Sequence, residues 1–132
     1  MKALLIILLV LAAGEVSALP KKIFSQVCGH HYAEGLRKTR LNGQIYIECL
    51  NKKSLPKSYP TEIDFNCHYE THIEGRWRNF RNTEYKTCLS KKSLGKTYET
   101  YYLNECQRGY DTNGQVFHPR YDDPYIKCKI RE

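Results

Sequence analysis

The sequence predicts a disulfide-stapled α+β domain in which one N-terminal helix packs on a twisted antiparallel sheet. Three observations support this prediction: an apolar leader, six cysteines, and a series of short segments rich in β-branched and aromatic residues. The chain has 132 residues, a length that suits one domain and not two. An internal repeat leaves an all-β repeat fold as the alternative.

Residues 1–18 have the features of a secretory signal peptide. Lys2 supplies the positive start, and the unbroken apolar run over residues 3–13 is too short to span a bilayer comfortably. Val16 and Ala18 are residues that signal peptidase favours. We therefore expect a secreted protein with a single domain over residues 19–132 and no stable membrane insertion.

Six cysteines follow the leader, and an even number in a short secreted chain indicates a disulfide framework. Six cysteines allow fifteen pairings, and their spacing leaves the choice open. No two cysteines are spaced as C-x-x-C, which argues against a zinc site. The six are Cys28, Cys49, Cys67, Cys88, Cys106 and Cys128.

A repeat of 39 residues runs through the chain. The segments CLNKKSLPKSY (residues 49–59) and CLSKKSLGKTY (residues 88–98) match at eight of eleven positions. Cys28, Cys67 and Cys106 are each 39 residues apart. This period indicates either a repeat fold or an old duplication, and three units could close a ring like that of a β-trefoil. The third unit is expected to be truncated.

Most of the remaining segments are typical of strands, because they are short, rich in β-branched and aromatic residues, and bounded by Gly, Pro or Asn. YDTNG, at residues 110–114, predicts a turn. The predicted strands are KKIFSQV, QIYIECL, EIDFNCHY, GRWRNF, TYYLNE, GQVF and PYIKCKI.

One helix is predicted over residues 32–43, with the sequence YAEGLRKTRLNG. Tyr32, Leu36 and Arg40 would share one helical face, and the closing Asn-Gly pair supplies a C-terminal stop. The internal glycine weakens this helix.

The net charge is +7 and the isoelectric point is about 9.1. A basic secreted protein attracts acidic partners such as RNA, phospholipid or acidic cell-wall glycans. The sequence contains no G-x-S-x-G, Walker or H-E-x-x-H motif. We expect a monomer without a metal or a cofactor.

The segment GRWRNFR, at residues 75–81, alternates cationic and aromatic side chains. Arginines and exposed aromatic rings hold single-stranded RNA through phosphate contacts and base stacking. A strand whose Trp77 faces the core, with arginines facing water, would show the same alternation. The candidate RNA-binding residues of this segment are Arg76, Trp77, Arg78, Phe80 and Arg81.

Four landmarks follow one another along the chain: CGHHY before a helix-like segment, SYP followed by EIDF, the strand YETYYLNE, and GQVFH with a terminal YIKC. In this order and spacing they resemble the fungal guanyl-specific ribonucleases and the powdery-mildew effectors similar to those enzymes. The resemblance covers nearly all of residues 19–132 and implies a ribonuclease-like α+β fold. It also implies a disulfide between Cys28 and Cys128, since the family's first and last cysteines are bonded.

The same resemblance implies a ribonuclease site. Tyr59 matches the family's phosphate-contacting tyrosine, His118 its general acid, and Tyr125 an aromatic residue that lines the site. Glu74 is the best match for the general base, with Glu70 as a competitor. The base would take the 2′-hydroxyl proton, and the histidine would give a proton to the leaving 5′-oxygen.

Two members of that site are replaced. Thr61 stands where the family has a histidine, and Thr100 stands where it has an arginine. A threonine carries no charge to stabilise the transition-state phosphate, and losing such a cation costs several kcal/mol of barrier.

These features favour a secreted fungal effector, a virulence protein that binds host RNA or host proteins and suppresses plant immunity with little or no catalysis. Host cells are one destination for such a protein. An active secreted guanyl-type ribonuclease is one alternative, favoured by the retained Tyr59, Glu74 and His118. A cationic antimicrobial or cell-wall-binding protein on a repeat scaffold is the other, favoured by the 39-residue period and the positive charge.

Overall fold

A computed structural model describes residues 19–132, and the predicted signal peptide over residues 1–18 lies outside the described residues. Between residues 19 and 132 the chain forms β-strands and two 3₁₀ turns, with no α-helix. The predicted α+β class is therefore wrong, and the fold is an all-β repeat. The strands are β1 (Lys22–Ser25), β2 (Tyr32–Leu41), β3 (Gln44–Asn51), β4 (Ser58–Glu62), β5 (His72–Phe80), β6 (Thr83–Ser90), β7 (Thr97–Tyr101), β8 (Tyr110–Phe117) and β9 (Tyr125–Ile130), and the 3₁₀ turns are Lys52–Ser54 and Lys91–Ser93.

The strands form three antiparallel sheets of three strands each, in the orders β1-β3-β2, β4-β6-β5 and β7-β9-β8. Each sheet corresponds to one sequence repeat, and we call residues 19–57, 58–96 and 97–132 units 1, 2 and 3. In each unit the third strand lies at the centre, between the first and the second. Unit 3, which is shorter in sequence, still has all three strands.

Residues 32–41, predicted as a helix, form the long strand β2. Asn42 and Gly43 both have positive φ, 51° and 78°, and they make the two-residue turn between β2 and β3. A β-carbon on Gly35 would lie 3.3 Å from the backbone oxygen of Glu48 on β3. The glycine that weakens a helix thus eases a close approach of two strands, and the Asn-Gly pair ends a strand.

The second strand of every unit contains a bulge in its pairing with the third strand. The register shifts lie between Glu34 and Lys38, between Glu74 and Trp77, and between Thr112 and Val116. YDTNG, predicted as a turn, belongs to β8 and leads into the third of these bulges. Its turn-forming residues serve the irregular backbone of a bulge.

Each disulfide lies within one unit: Cys28–Cys49, Cys67–Cys88 and Cys106–Cys128. The implied Cys28–Cys128 bond is therefore wrong. The second cysteine of each pair is fully buried on the central strand, where a partner from the same unit reaches it. Closing a loop of this size stabilises the fold by about 3 kcal/mol in the chain-entropy model.

A hydrogen bond to the segment just before the first strand of each unit recurs at the start of the second strand. The Tyr32 hydroxyl donates to the Pro20 carbonyl at 3.4 Å, and the Tyr110 hydroxyl donates to the Gly95 carbonyl at 2.7 Å. In unit 2 the ring of His72 takes this place, with Nε2 2.8 Å from the Pro56 carbonyl oxygen. These carbonyls belong to the sequences Leu-Pro-Lys, Leu-Pro-Lys and Leu-Gly-Lys, so the repeat occurs three times.

The two clusters of buried residues lie at the boundaries between units. Ala33 of unit 1 packs with Tyr59 of unit 2, and Ile73 of unit 2 packs against Tyr98 of unit 3. The main contacts between units join β2 to β4 and β5 to β7. The units therefore follow one another in a row, and each buries its apolar side chains against its neighbour.

The threonines that replace two ribonuclease residues are buried at these boundaries. Thr61 is 1 % exposed and Thr100 is 2 % exposed, at matching positions of β4 and β7. The Thr100 hydroxyl donates to the backbone oxygen of Glu74 at 2.7 Å. Packing between units accounts for a small β-branched residue at both positions.

Candidate anion-binding surface

The three residues predicted to cleave RNA each have a different environment. Tyr59 is 2 % exposed, and its hydroxyl accepts a hydrogen bond from the backbone nitrogen of His68 at 3.0 Å. Burial raises the pKa of Tyr59 above its usual value. Glu74 accepts a hydrogen bond from the indole nitrogen of Trp77 and lies 3.5 Å from the Lys86 ammonium. His118 is exposed just beyond β8 in unit 3.

No hydrogen bond or ion pair within residues 19–132 joins Tyr59, Glu74 and His118 to one another. The competing Glu70 is also on the surface, with its carboxylate 3.9 Å from His68 Nε2. Tyr59 and Glu74 are thus engaged by contacts within unit 2, whereas His118 lies on the surface of unit 3.

Arg76, predicted to bind RNA, holds units 2 and 3 together. Its guanidinium lies 3.3 Å from Glu99 and 3.2 Å from Asp122, and it covers the ring of Tyr125 at 3.8 Å. Phe117 stacks near Tyr125, with ring centroids 5.1 Å apart. Both Arg76 and Tyr125 are occupied by contacts within the fold.

Trp77 also packs at this boundary. Its ring stacks on Tyr101 with centroids 3.7 Å apart and planes at 10°. The other three predicted RNA-binding residues of this segment, Arg78, Phe80 and Arg81, are exposed. At the β5–β6 turn the Arg81 guanidinium lies 5.2 Å from the centroid of the Phe80 ring. The predicted set is thus divided between boundary contacts and surface.

The largest repeated group of exposed charges is on two connections, residues 52–57 and 91–96, which we call the lysine turns. Each begins with a 3₁₀ turn directly after a central strand and leads into the first strand of the next unit. In the first lysine turn the Asn51 side chain accepts a hydrogen bond from the Lys53 nitrogen at 2.9 Å, which fixes the start of the turn. Of the six lysines, Lys52 is half-buried and five are exposed: Lys53, Lys57, Lys91, Lys92 and Lys96.

No carboxylate neutralises these lysines within the described part of the chain. The ion pairs of residues 19–132 involve Lys22, Lys38 and Lys86 but none of the six. One of the six has an internal partner, since Lys91 Nζ donates to the Tyr69 carbonyl at 2.7 Å. The lysine turns are visible in the sequence, because the 39-residue repeat duplicates K-K-S-L-x-K together with the preceding cysteine.

Three clefts between units differ in charge. A cleft of about 530 Å³ between units 2 and 3 is lined by Glu74, Glu105 and Lys91 among others, and one of about 440 Å³ between units 1 and 2 by Glu34, Glu70 and Lys52. A third cleft, of about 430 Å³, lies between units 2 and 3 and has three cations and one carboxylate: Lys57, Arg76, Arg78 and Glu99. Of these three clefts, the third has the largest excess of cations, which favours an anion.

The described residues include no group of three or more His, Cys, Asp or Glu side chains arranged to hold a metal ion. Over the same residues, no helix is long and apolar enough to cross a membrane. Comparisons with protein-family models, curated proteins and solved structures found no match.

Proposed function

We propose that this protein is a secreted, non-enzymatic binding protein whose two lysine turns hold acidic polysaccharide of a cell wall. The observation that carries the proposal is the duplication of three lysines at matching positions, with five of the six exposed and none paired with a carboxylate within residues 19–132. Like charges placed close together repel one another, and an anionic ligand relieves that repulsion.

A row of units suits a polymeric ligand better than a small one. One polysaccharide chain that reaches both lysine turns makes the second contact at a high effective concentration, so that modest contacts add up to useful affinity. Three disulfides support delivery to an oxidising compartment, where such polymers are found.

The ribonuclease alternative has less support from the geometry. Tyr59 and Glu74 are engaged in contacts within unit 2, and His118 is an exposed residue of unit 3. RNA binding also has less support, because the Trp77 ring that would stack a base is covered by Tyr101.

The test is a charge-matched pair of variants titrated with polygalacturonate by calorimetry. In the first variant Lys53, Lys57, Lys92 and Lys96 become Gln. The control variant changes four exposed arginines of the hairpin ends to Gln: Arg37, Arg40, Arg81 and Arg120.

Both variants lose four positive charges, so long-range attraction falls equally in both. We expect the lysine variant to bind at least about tenfold more weakly than the control, because it also loses the direct contacts. If polygalacturonate binding weakened equally in both variants, binding would depend on net charge alone. That result would contradict a site on the lysine turns.

A further inference from the structure

We propose that the basic cleft between units 2 and 3 is a subsite for one carboxylated sugar of the bound polymer, with Arg78 as the residue that meets the carboxylate. This inference rests on the proposed function and names the class of ligand as a polyuronate. The cleft has a volume of about 430 Å³, within the range of sites for small ligands.

The cleft adjoins both lysine turns. Lys57 of the first turn lines it, and so do Ser93 and Gly95 of the second turn. A polymer held by the lysine turns therefore passes the mouth of the cleft, where one of its residues can enter.

The cations of the cleft have different roles. Arg76 is held by Glu99, Asp122 and the ring of Tyr125, so that it forms a fixed wall. Arg78 is exposed, and no ion pair engages its guanidinium within residues 19–132. A free guanidinium binds a carboxylate through two parallel hydrogen bonds.

The remaining polar groups of the cleft are mostly hydroxyls, which suit a sugar. The Ser90 side chain forms no capping hydrogen bond, whereas Asn51 at the matching position of unit 1 caps its 3₁₀ turn. Hydroxyls both donate and accept hydrogen bonds, as sugar hydroxyls require. The hydroxyl-bearing residues that line the cleft are Tyr85, Thr87, Ser90, Ser93 and Thr97.

The matching positions of unit 1 would oppose an anion. Thr39 pairs with Tyr46 as Arg78 pairs with Tyr85, so unit 1 has a threonine in place of the arginine. The residue before the central cysteine is Glu48 in unit 1 and Thr87 in unit 2. A cation is lost and a carboxylate is gained, which restricts the subsite to the boundary between units 2 and 3.

The experiment is a titration of the protein with the trimer of galacturonic acid, followed through backbone amide chemical shifts. Two single variants are compared with the unchanged protein: Arg78→Gln, and Arg81→Gln as a control on the same hairpin with the same change in charge. Because Lys57, Ser93 and Gly95 of the lysine turns line the cleft, a trimer in the cleft also meets these residues. The comparison of Arg78→Gln with Arg81→Gln therefore isolates the contribution of the subsite. Polygalacturonate binding is measured in parallel.

We expect the trimer to shift the amides of Ser93, Gly95 and Thr97. We expect Arg78→Gln to weaken trimer binding by about tenfold or more, since a charged hydrogen-bond partner is lost, and Arg81→Gln to change it less than about twofold. Both variants should still bind the long polymer through the lysine turns.

Equal trimer binding by the two variants, or shifts confined to residues outside the cleft, would overturn the subsite while leaving the proposed function intact. Failure of the unchanged protein to bind polygalacturonate would overturn the proposed function itself. An RNA trimer that shifts the cleft amides more strongly than the uronate trimer would overturn the assignment to a polyuronate.

Discussion

Replacing Gly75 with alanine tests whether the close packing of β5 against β6 holds the row together. A β-carbon at this position would lie 2.6 Å from the backbone oxygen of Thr87, against the 3.4 Å at which ordinary contact begins, so about 0.8 Å of separation is missing. The obstacle is backbone, and the strands themselves must move. The oxygen of Glu99 in unit 3 is only 3.5 Å away, so the displacement reaches the next unit.

Overpacking of this kind costs about 3 kcal/mol, and the reduced freedom of the unfolded chain returns up to about 1 kcal/mol. We therefore expect Gly75→Ala to lower the free energy of unfolding by about 2 kcal/mol, and the melting temperature by roughly 8 °C. Chemical and thermal unfolding of the oxidised protein provide the measurement.

Alanine substitutions at two other glycines provide controls with a smaller expected loss of stability and with none. Gly35→Ala meets a side-chain oxygen at 3.2 Å and a backbone oxygen at 3.3 Å, both of Glu48, and should cost less than about 1 kcal/mol. A β-carbon on Gly29 would meet nothing within 4 Å, so Gly29→Ala should be neutral. Equal stability of the Gly75 and Gly29 variants would refute the close approach.

Three more predictions follow from the repeat. Thr100→Val should lower the free energy of unfolding by about 1 kcal/mol, because it removes a buried hydrogen bond. Thr61→Val should be neutral or stabilising, since the buried Thr61 hydroxyl has no partner within residues 19–132. An equal loss in the two variants would contradict this difference. Removing the Cys67–Cys88 bond by a double alanine substitution should cost about 3 kcal/mol, and peptide mapping of the unchanged protein should recover three local pairs; a Cys28–Cys128 peptide would contradict the fold. Burial raises the pKa of Tyr59 above 10, so its contribution to stability is complete below pH 10 and is lost as the pH rises through the raised pKa. The free energy of unfolding should therefore fall less steeply above pH 10 in Tyr59→Phe than in the unchanged protein. An equal slope in the two proteins would contradict a contribution from Tyr59.

The 39-residue repeat is visible in the sequence, and the pairing of the cysteines follows it. The cysteine separations within the units are 21, 21 and 22, and this near-identity is what three local disulfides produce. Order along the chain instead suggested a bond from first to last, because one family pattern matched at both ends. Spacing alone leaves pairings open, and burial on the central strand of each unit decides among them.

The false helix over residues 32–43 has a physical cause. Tyr32, Leu36 and Arg40 are spaced by four, which favours a helix, but pairing with β3 outweighs this weak local preference. Gly35 was the contrary signal. Its missing side chain serves a close approach of strands that only the tertiary structure reveals.

The sequence predicted the strands better than it predicted which side chains lie on the surface. Charge and repetition predicted an affinity for acidic partners, which stays a prediction, and the structure locates most of the repeated charge on the lysine turns. The arginine and aromatic pattern of residues 75–81 did not separate boundary residues from free ones, because both follow strand alternation. Arg76 and Trp77 pack against unit 3, and a single sequence does not show which side chains a neighbouring unit will cover.

The most direct test of the proposed binding function is a competition between polygalacturonate and a single-stranded RNA of equal charge for the oxidised mature protein at one fixed salt concentration. With exposed lysines at both turns and the Trp77 ring covered by Tyr101, polygalacturonate should bind more tightly, and its affinity should fall as salt is added. Tighter binding of the RNA, or a polygalacturonate affinity that salt leaves unchanged, would contradict a surface built to hold acidic polysaccharide.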